Sequence, residues 1–318
     1  MAQFETLVAA NKRNSVVLVI CFILFICVLG GVLGWAIWGD PRAGIPSIAV
    51  ALVVSAVMAL VGYYSGPQAV LAMSRARPIA QQDDPQLYNI VEELSLASGL
   101  PMPRLYVIDT DAMNAFATGR DPQHAHIAVT RGLRERLGRD ELQGVLAHEL
   151  SHVRNYDIRF MTLMAVLVGT VAMLAHIGMR AVFYGGGRRR SSNRGGGGGI
   201  VMLVVILGAV VLAIIAPVLA QLIQLAVSRQ REFLADTSAA RMTRYPEGLA
   251  RALLALRDDT APLPEASGAT AHLFINEPKV SARSRRGTQS SLWSSHPAIE
   301  ERVARLRSLG NLEGSSPV

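Results

Sequence analysis

Cysteine is almost absent from this sequence: Cys21 and Cys27 are its only two, and both fall inside one uncharged run. That excludes a disulfide framework and argues against a closed, cysteine-rich structural zinc site. Charge is scarce too, at 17% of 318 residues, where soluble domains carry about a quarter. With 51% hydrophobic residues and a mean hydropathy of +0.32, much of the chain must avoid water. Aromatics amount to only 6%. Many of the basic residues behind the net charge of +7 cluster beside apolar runs, without interleaved rings for base stacking. This pattern argues against nucleic acid and for a lipid bilayer with anionic headgroups. There is no internal repeat.

What is present begins with two uncharged stretches, residues 15–38 and 46–65. Each reaches the roughly 20 residues that a helix needs to cross a bilayer. The first is too long for a signal peptide and no A-x-A pattern follows it, so it is expected to stay attached. Trp35, Trp38, Tyr63 and Tyr64 sit at the ends, where amphipathic rings favour the headgroup layer. Two more apolar stretches follow, residues 160–179, which contain His176, and residues 200–227. Between them Gly185–Gly199 carries two glycine runs around Arg188, Arg189, Arg190 and Arg194, the composition of a flexible linker.

Outside the apolar stretches the sequence predicts an α+β domain. Asp84, Pro85 and Gly99 bracket a helix over residues 85–98. Short strands are expected at Leu105–Ile108, Asn114–Ala117 and Ala125–Val129, separated by Asp, Gly and Pro turn signals. Asp140 with Gln143 then suggests the start of a further helix.

That helix carries His148-Glu149-Leu150-Ser151-His152, an H-E-x-x-H pattern. The four-residue spacing sets both imidazoles on one face, able to share a zinc ion, with Glu149 beside it as general base. A catalytic zinc needs a third protein ligand. The metzincin solution would require glycine and histidine where Asn155 and Ile158 stand. Glu232, in Arg231-Glu232-Phe233-Leu234-Ala235-Asp236, is the candidate, with Asp236 one turn later able to hold a ligand imidazole by its other nitrogen. An exposed helix with local ion pairs to Arg229 or Arg231 is the plainer reading of that segment. Asp157 suits a buttressing role.

These segments, together with Asn114-Ala115-Phe116-Ala117-Thr118-Gly119 and His296-Pro297-Ala298-Ile299-Glu300-Glu301-Arg302, resemble the HtpX family of membrane-bound zinc metalloproteases, relatives of the CAAX prenyl proteases. The resemblance spans most of the chain. It implies a mainly helical, gluzincin-like protease domain with a small sheet, joined to transmembrane helices and holding one zinc ion per chain. It implies that Asn114, Ala115 and Phe116 belong to an edge strand that receives extended substrate. It also implies that His296 and Arg302 approach the site and stabilise transition-state charge. Misfolded or damaged membrane proteins, in envelope quality control and stress response, are the substrates it suggests.

The expected organisation is a transmembrane hairpin (1–74), a first catalytic part (75–158), a second apolar pair with its linker (159–227) and a second catalytic part (228–318). Lys12, Arg13, Arg75 and Arg77 flank the hairpin and set both its ends in the cytoplasm of a bacterial inner membrane. Because His152 and Glu232 must meet at one metal, the second pair crosses twice or not at all. Arg188 to Arg194 oppose crossing, so a re-entrant or surface-lying pair stays open beside a spanning one. A zinc-binding scaffold without catalysis, and a transporter, are the competing functions.

Overall fold

The computed structural model describes residues 2–38, 40, 42, 44–185, 229–263, 270–276 and 297–314. The linker after Gly185 and the apolar stretch 200–227 lie outside them, as does His296. Two long helices come first, α1 (Ala2–Trp38) and α2 (Gly44–Met73), packed against each other. Both are long and apolar enough to cross a membrane. They turn Val16, Val17, Ile20, Leu24 and Val28 of α1, and Val53, Val57, Leu60 and Val61 of α2, outward. Continuous apolar faces of this kind suit lipid, because water would charge for every exposed side chain.

After the short strand β1 (Arg77–Pro78), α3 (Pro85–Ser98) obeys its sequence signals. The Asp84 carboxylate accepts from the Leu87 N–H, and Gly99 closes the helix at φ 69°, a conformation that favours glycine. Strands β2 (Arg104–Ile108), β3 (Ala115–Gly119) and β4 (Ala125–Thr130) follow, each within two residues of expectation at either end. The sheet order is β1-β2-β4-β3, with β2 and β4 parallel and the other pairs antiparallel. Helices α4 (Arg131–Arg136), α5 (Arg139–Arg154) and α6 (Asp157–Gly185) complete the part before the linker. Beyond it come α7 (Arg229–Thr243), α8 (Pro246–Asp258) and α9 (Ile299–Gly314).

The period-2 alternation of the strands divides the core in two. Leu105, Ala115, Ala117, Ile127 and Val129 face a helical layer in which α3 and α5 from before the linker pack with α7, α8 and α9 from after it. Ile108, Phe116 and Ala128 face the other way, onto Val70 and Leu71 of α2 and Met161 and Ala165 of α6. A third cluster joins Leu18, Phe22 and Ile26 of α1 and Ala51 of α2 to Phe160, Leu163, Met164 and Leu167 of α6. The molecule is thus mostly helical with a small mixed sheet, one face of which rests on the ends of the apolar helices.

Candidate metal centre

Helix α5 begins at Arg139 with Gly138 at its cap, two residues ahead of the cap expected at Asp140, because the Glu141 carboxylate accepts from the Gly138 N–H at 2.9 Å. Asp140 and Gln143 therefore lie inside the helix, not at its cap. From Gly144 to Val153 every residue is buried, so α5 is a central helix. His148 and His152 stand one turn apart, their rings at 89° and their Nε2 atoms 3.2 Å from each other.

Each imidazole is held from behind by a carboxylate. His148 Nδ1 meets Asp236 Oδ1 at 3.0 Å, and His152 Nδ1 meets Asp157 Oδ2 at 3.0 Å. An Nδ1–H donated to a carboxylate leaves the Nε2 lone pair free to bind a metal. Glu232 supplies the third donor, with its two oxygens 3.6 Å from His148 Nε2 and from His152 Nε2. One atom from each of His148, His152 and Glu232 falls within 4.8 Å of the others, and all three residues are buried. Two convergent imidazoles and a carboxylate, with tautomers fixed by a surrounding shell, fit a zinc ion.

The charge around the centre is set by closely paired acids and bases. Glu149, Asp157, Glu232 and Asp236 are buried beside two buried guanidinium groups, those of Arg231 and Arg302. Burial, aided by Arg302 and His152, pushes the His148 imidazole below its ordinary pKa. His152 goes the other way. Burial opposes its charge, but the Asp157 hydrogen bond and the charges of Glu232, Asp157 and Glu149 raise it to about 9.

Asp157 reaches His152 because α5 does not continue. Asn155 ends the helix, Tyr156 takes a left-handed conformation at φ 61°, and α6 starts at Asp157. An uninterrupted helix would turn Asp157 off the metal face. A non-glycine residue in the left-handed region costs about 1 kcal/mol, so the corner must be held by its surroundings.

Across the linker, Arg231, Glu232 and Asp236 are all buried on α7, which excludes the exposed-helix reading of that segment. Arg302 on α9 is 1% exposed and donates to Asp236 twice, from Nε at 2.8 Å and Nη2 at 2.7 Å. Its Nη1 lies 3.5 Å from Glu232, and Nη2 lies 3.4 Å from His148 Nδ1, too far to compete with the carboxylate there. Arg302 thus reaches the centre through the acids.

The sheet edge next to the centre is β3. The Thr130 N–H donates to the Asn114 carbonyl, so by antiparallel alternation Ala115, Ala117 and Gly119 turn their backbone groups outward. Ile275 already donates to the Ala115 carbonyl, Asn114 is spent on both backbone groups of Asn276, and Gly119 donates to Thr162. Among the described residues neither outward backbone group of Ala117 has such a partner, and Gly119 has one only on its N–H. His124 is exposed and paired with Asp121, while His126 and His272 are buried away from the cluster. Sequence reasoning missed Arg231 and Asn11, which meet behind Asp157. No local pattern marks either, since their partners lie far along the chain.

Peptidase family M48 matches residues 81–310. A protease HtpX homolog of Tropheryma whipplei strain TW08/27 is 40% identical over 306 residues, covering 96% of this chain and 98% of that one. Another from Syntrophobacter fumaroxidans is 46% identical over 276 residues, covering 86% and 94%. The crystal structure of S. mikatae Ste24p aligns with 95% of this chain and 66% of its own, at 20% identity and a TM-score of 0.48. On the family match and these full-length relatives, the chain is a membrane protease that belongs to peptidase family M48, in its HtpX group.

Proposed function

We propose that the protein is a zinc-dependent endopeptidase carrying one ion per chain, held by His148, His152 and Glu232. The observation that supports this most is the convergence of two Nε2 atoms and one carboxylate, each imidazole backed by its own acid. A zinc ion bound there supplies Lewis acidity toward the scissile carbonyl and the attacking water. Glu149, buried on the turn that carries both imidazoles, accepts the proton of that water and returns it to the leaving amine. Asp236 and Asp157 keep the ligand imidazoles in one tautomer and orientation. Arg302 holds Asp236 and Glu232 in place, and the family resemblance assigns it, with His296, a part in offsetting transition-state charge.

Substrate enters extended along β3 beside Asn114, Ala115 and Phe116, using the outward backbone groups of Ala117. For longer pairing the segment at 274–276 must yield. Misfolded or damaged membrane proteins are the proposed substrates, cut at the cytoplasmic face of a bacterial inner membrane. Lys12, Arg13, Arg75 and Arg77 support that orientation through the positive-inside bias.

A zinc-binding scaffold without catalysis is the alternative, and Glu149 separates the two. In detergent, Glu149→Gln is expected to keep zinc and lose cleavage of an unfolded protein, whereas His148→Ala loses both. Full proteolysis by purified Glu149→Gln protein would overturn the mechanism. Zinc retention without cleavage by the wild type would favour the scaffold.

A further inference from the structure

The first apolar helix does more than anchor the chain. Asn11, on α1, is 3% exposed and donates from one amide nitrogen to two acceptors on the α5–α6 corner. These are the Asn155 carbonyl at 3.0 Å and Asp157 Oδ1 at 2.5 Å. Its oxygen in turn accepts from Arg231 Nη1 at 3.3 Å, and Arg231 lies 3.8 Å from the same Asp157 oxygen. The other Asp157 oxygen, Oδ2, holds His152. Next along α1, the Lys12 ammonium sits 4.3 Å from the centre of the Tyr156 ring, on the left-handed residue of that corner.

A hydrogen-bonded path therefore runs from the membrane helix to an imidazole of the site: Asn11, Asp157, His152. Its geometry is specific. Asn11 bridges the last turn of α5 and the first residue of α6, so it fixes the one bend that brings Asp157 behind His152. It also joins both halves of the protease domain, because Arg231 precedes Glu232 on α7. Packing alone would not require an amide here, and a buried amide persists only where its donors and acceptor are satisfied.

We infer that Asn11 is a positioning residue of the metal centre, orienting His152 through Asp157, and that α1 is thereby a structural part of the protease site. This rests on His152 being a metal ligand. Loss of the acid directly behind a metal-bound imidazole weakens binding by roughly tenfold to a hundredfold; Asn11 stands one step further out, so its loss is expected to weaken binding by up to about tenfold.

The test measures zinc affinity of the full chain in detergent by competition with a chromophoric chelator, well below the melting temperature of every variant. Asn11→Asp keeps the shape but removes both N–H donors and sets a second carboxylate against Asp157. Asn11→Ala removes the amide altogether. Leu18→Ala, buried on the same helix at 3% exposure, loosens the packing of α1 without touching the path. Weakening of a few-fold to about tenfold in both Asn11 variants, with wild-type affinity in Leu18→Ala, is expected. The absorption spectrum of the cobalt-substituted protein should shift in the Asn11 variants alone. Wild-type affinity in both Asn11 variants, or equal weakening by Leu18→Ala, overturns the inference. His152→Ala separates the two levels: if it too binds zinc normally, the reading of the site fails, and not merely the role of Asn11.

Discussion

At the scale of single residues, the centre depends on acids that would be costly if left alone. Asp236 is buried between His148 and a two-pronged contact from Arg302, and both partners hold its carboxyl below the usual range against the cost of burial. Removing the guanidinium in Arg302→Ala strands a buried charge, which costs about 3 to 5 kcal/mol. Arg302→Lys keeps the charge but not the planar fork, so it is expected to fold better than Arg302→Ala yet bind zinc more weakly than the wild type. Denaturation in detergent and chelator competition measure the two effects. Equal zinc affinity in Arg302→Lys and wild type would remove the argument for the fork.

Among elements, α5 matters most, and its approach to α8 is set by Gly144. A Cβ at that position would lie 2.6 Å from the backbone nitrogen of Leu249, where nothing can move aside cheaply. Gly144→Ala should push the helices apart at a cost of about 1 to 3 kcal/mol. Because His148 stands one turn further along, zinc affinity should fall too; a variant that melts lower but keeps full affinity would mean the crossing is not coupled to the site. Elements of this kind were unevenly legible. Asp84 and Gly99 mark both ends of α3, and strand-like content between Asp, Gly and Pro turn signals points to β2, β3 and β4. The cap of α5 lies two residues ahead of Asp140 because glycine caps it and the stabilising carboxylate comes from Glu141. The corner at Tyr156 left no trace in the sequence, since a left-handed tyrosine is imposed by neighbours and not by its own preference. Glu232 is singled out by the chemistry of an incomplete zinc pair, not by anything local to α7, and it lies beside both imidazoles.

For the whole molecule, the proposed ligands His148, His152 and Glu232 come from both sides of the linker, so bound metal should stabilise all of it. A ligand at about a thousand times its dissociation constant adds about 4 kcal/mol. Chelation is expected to lower the melting temperature of the wild type and leave that of His148→Ala unchanged. A wild type indifferent to chelator would mean that no metal cross-links the fold. The apolar hairpin was readable from composition alone, whereas the meeting of Asn11 with Asp157 was not, because contacts between residues so far apart follow from the finished packing. Arg302 adds a consequence in time. The centre draws on Asn11, on His148 to Asp157, on Glu232 and Asp236, and finally on Arg302. A ribosome must pass residue 302 before Asp236 acquires its counter-ion, so a chain still being made has its histidines but no finished protease. The order of synthesis would thus keep the nascent protein from cutting its own unfolded segments.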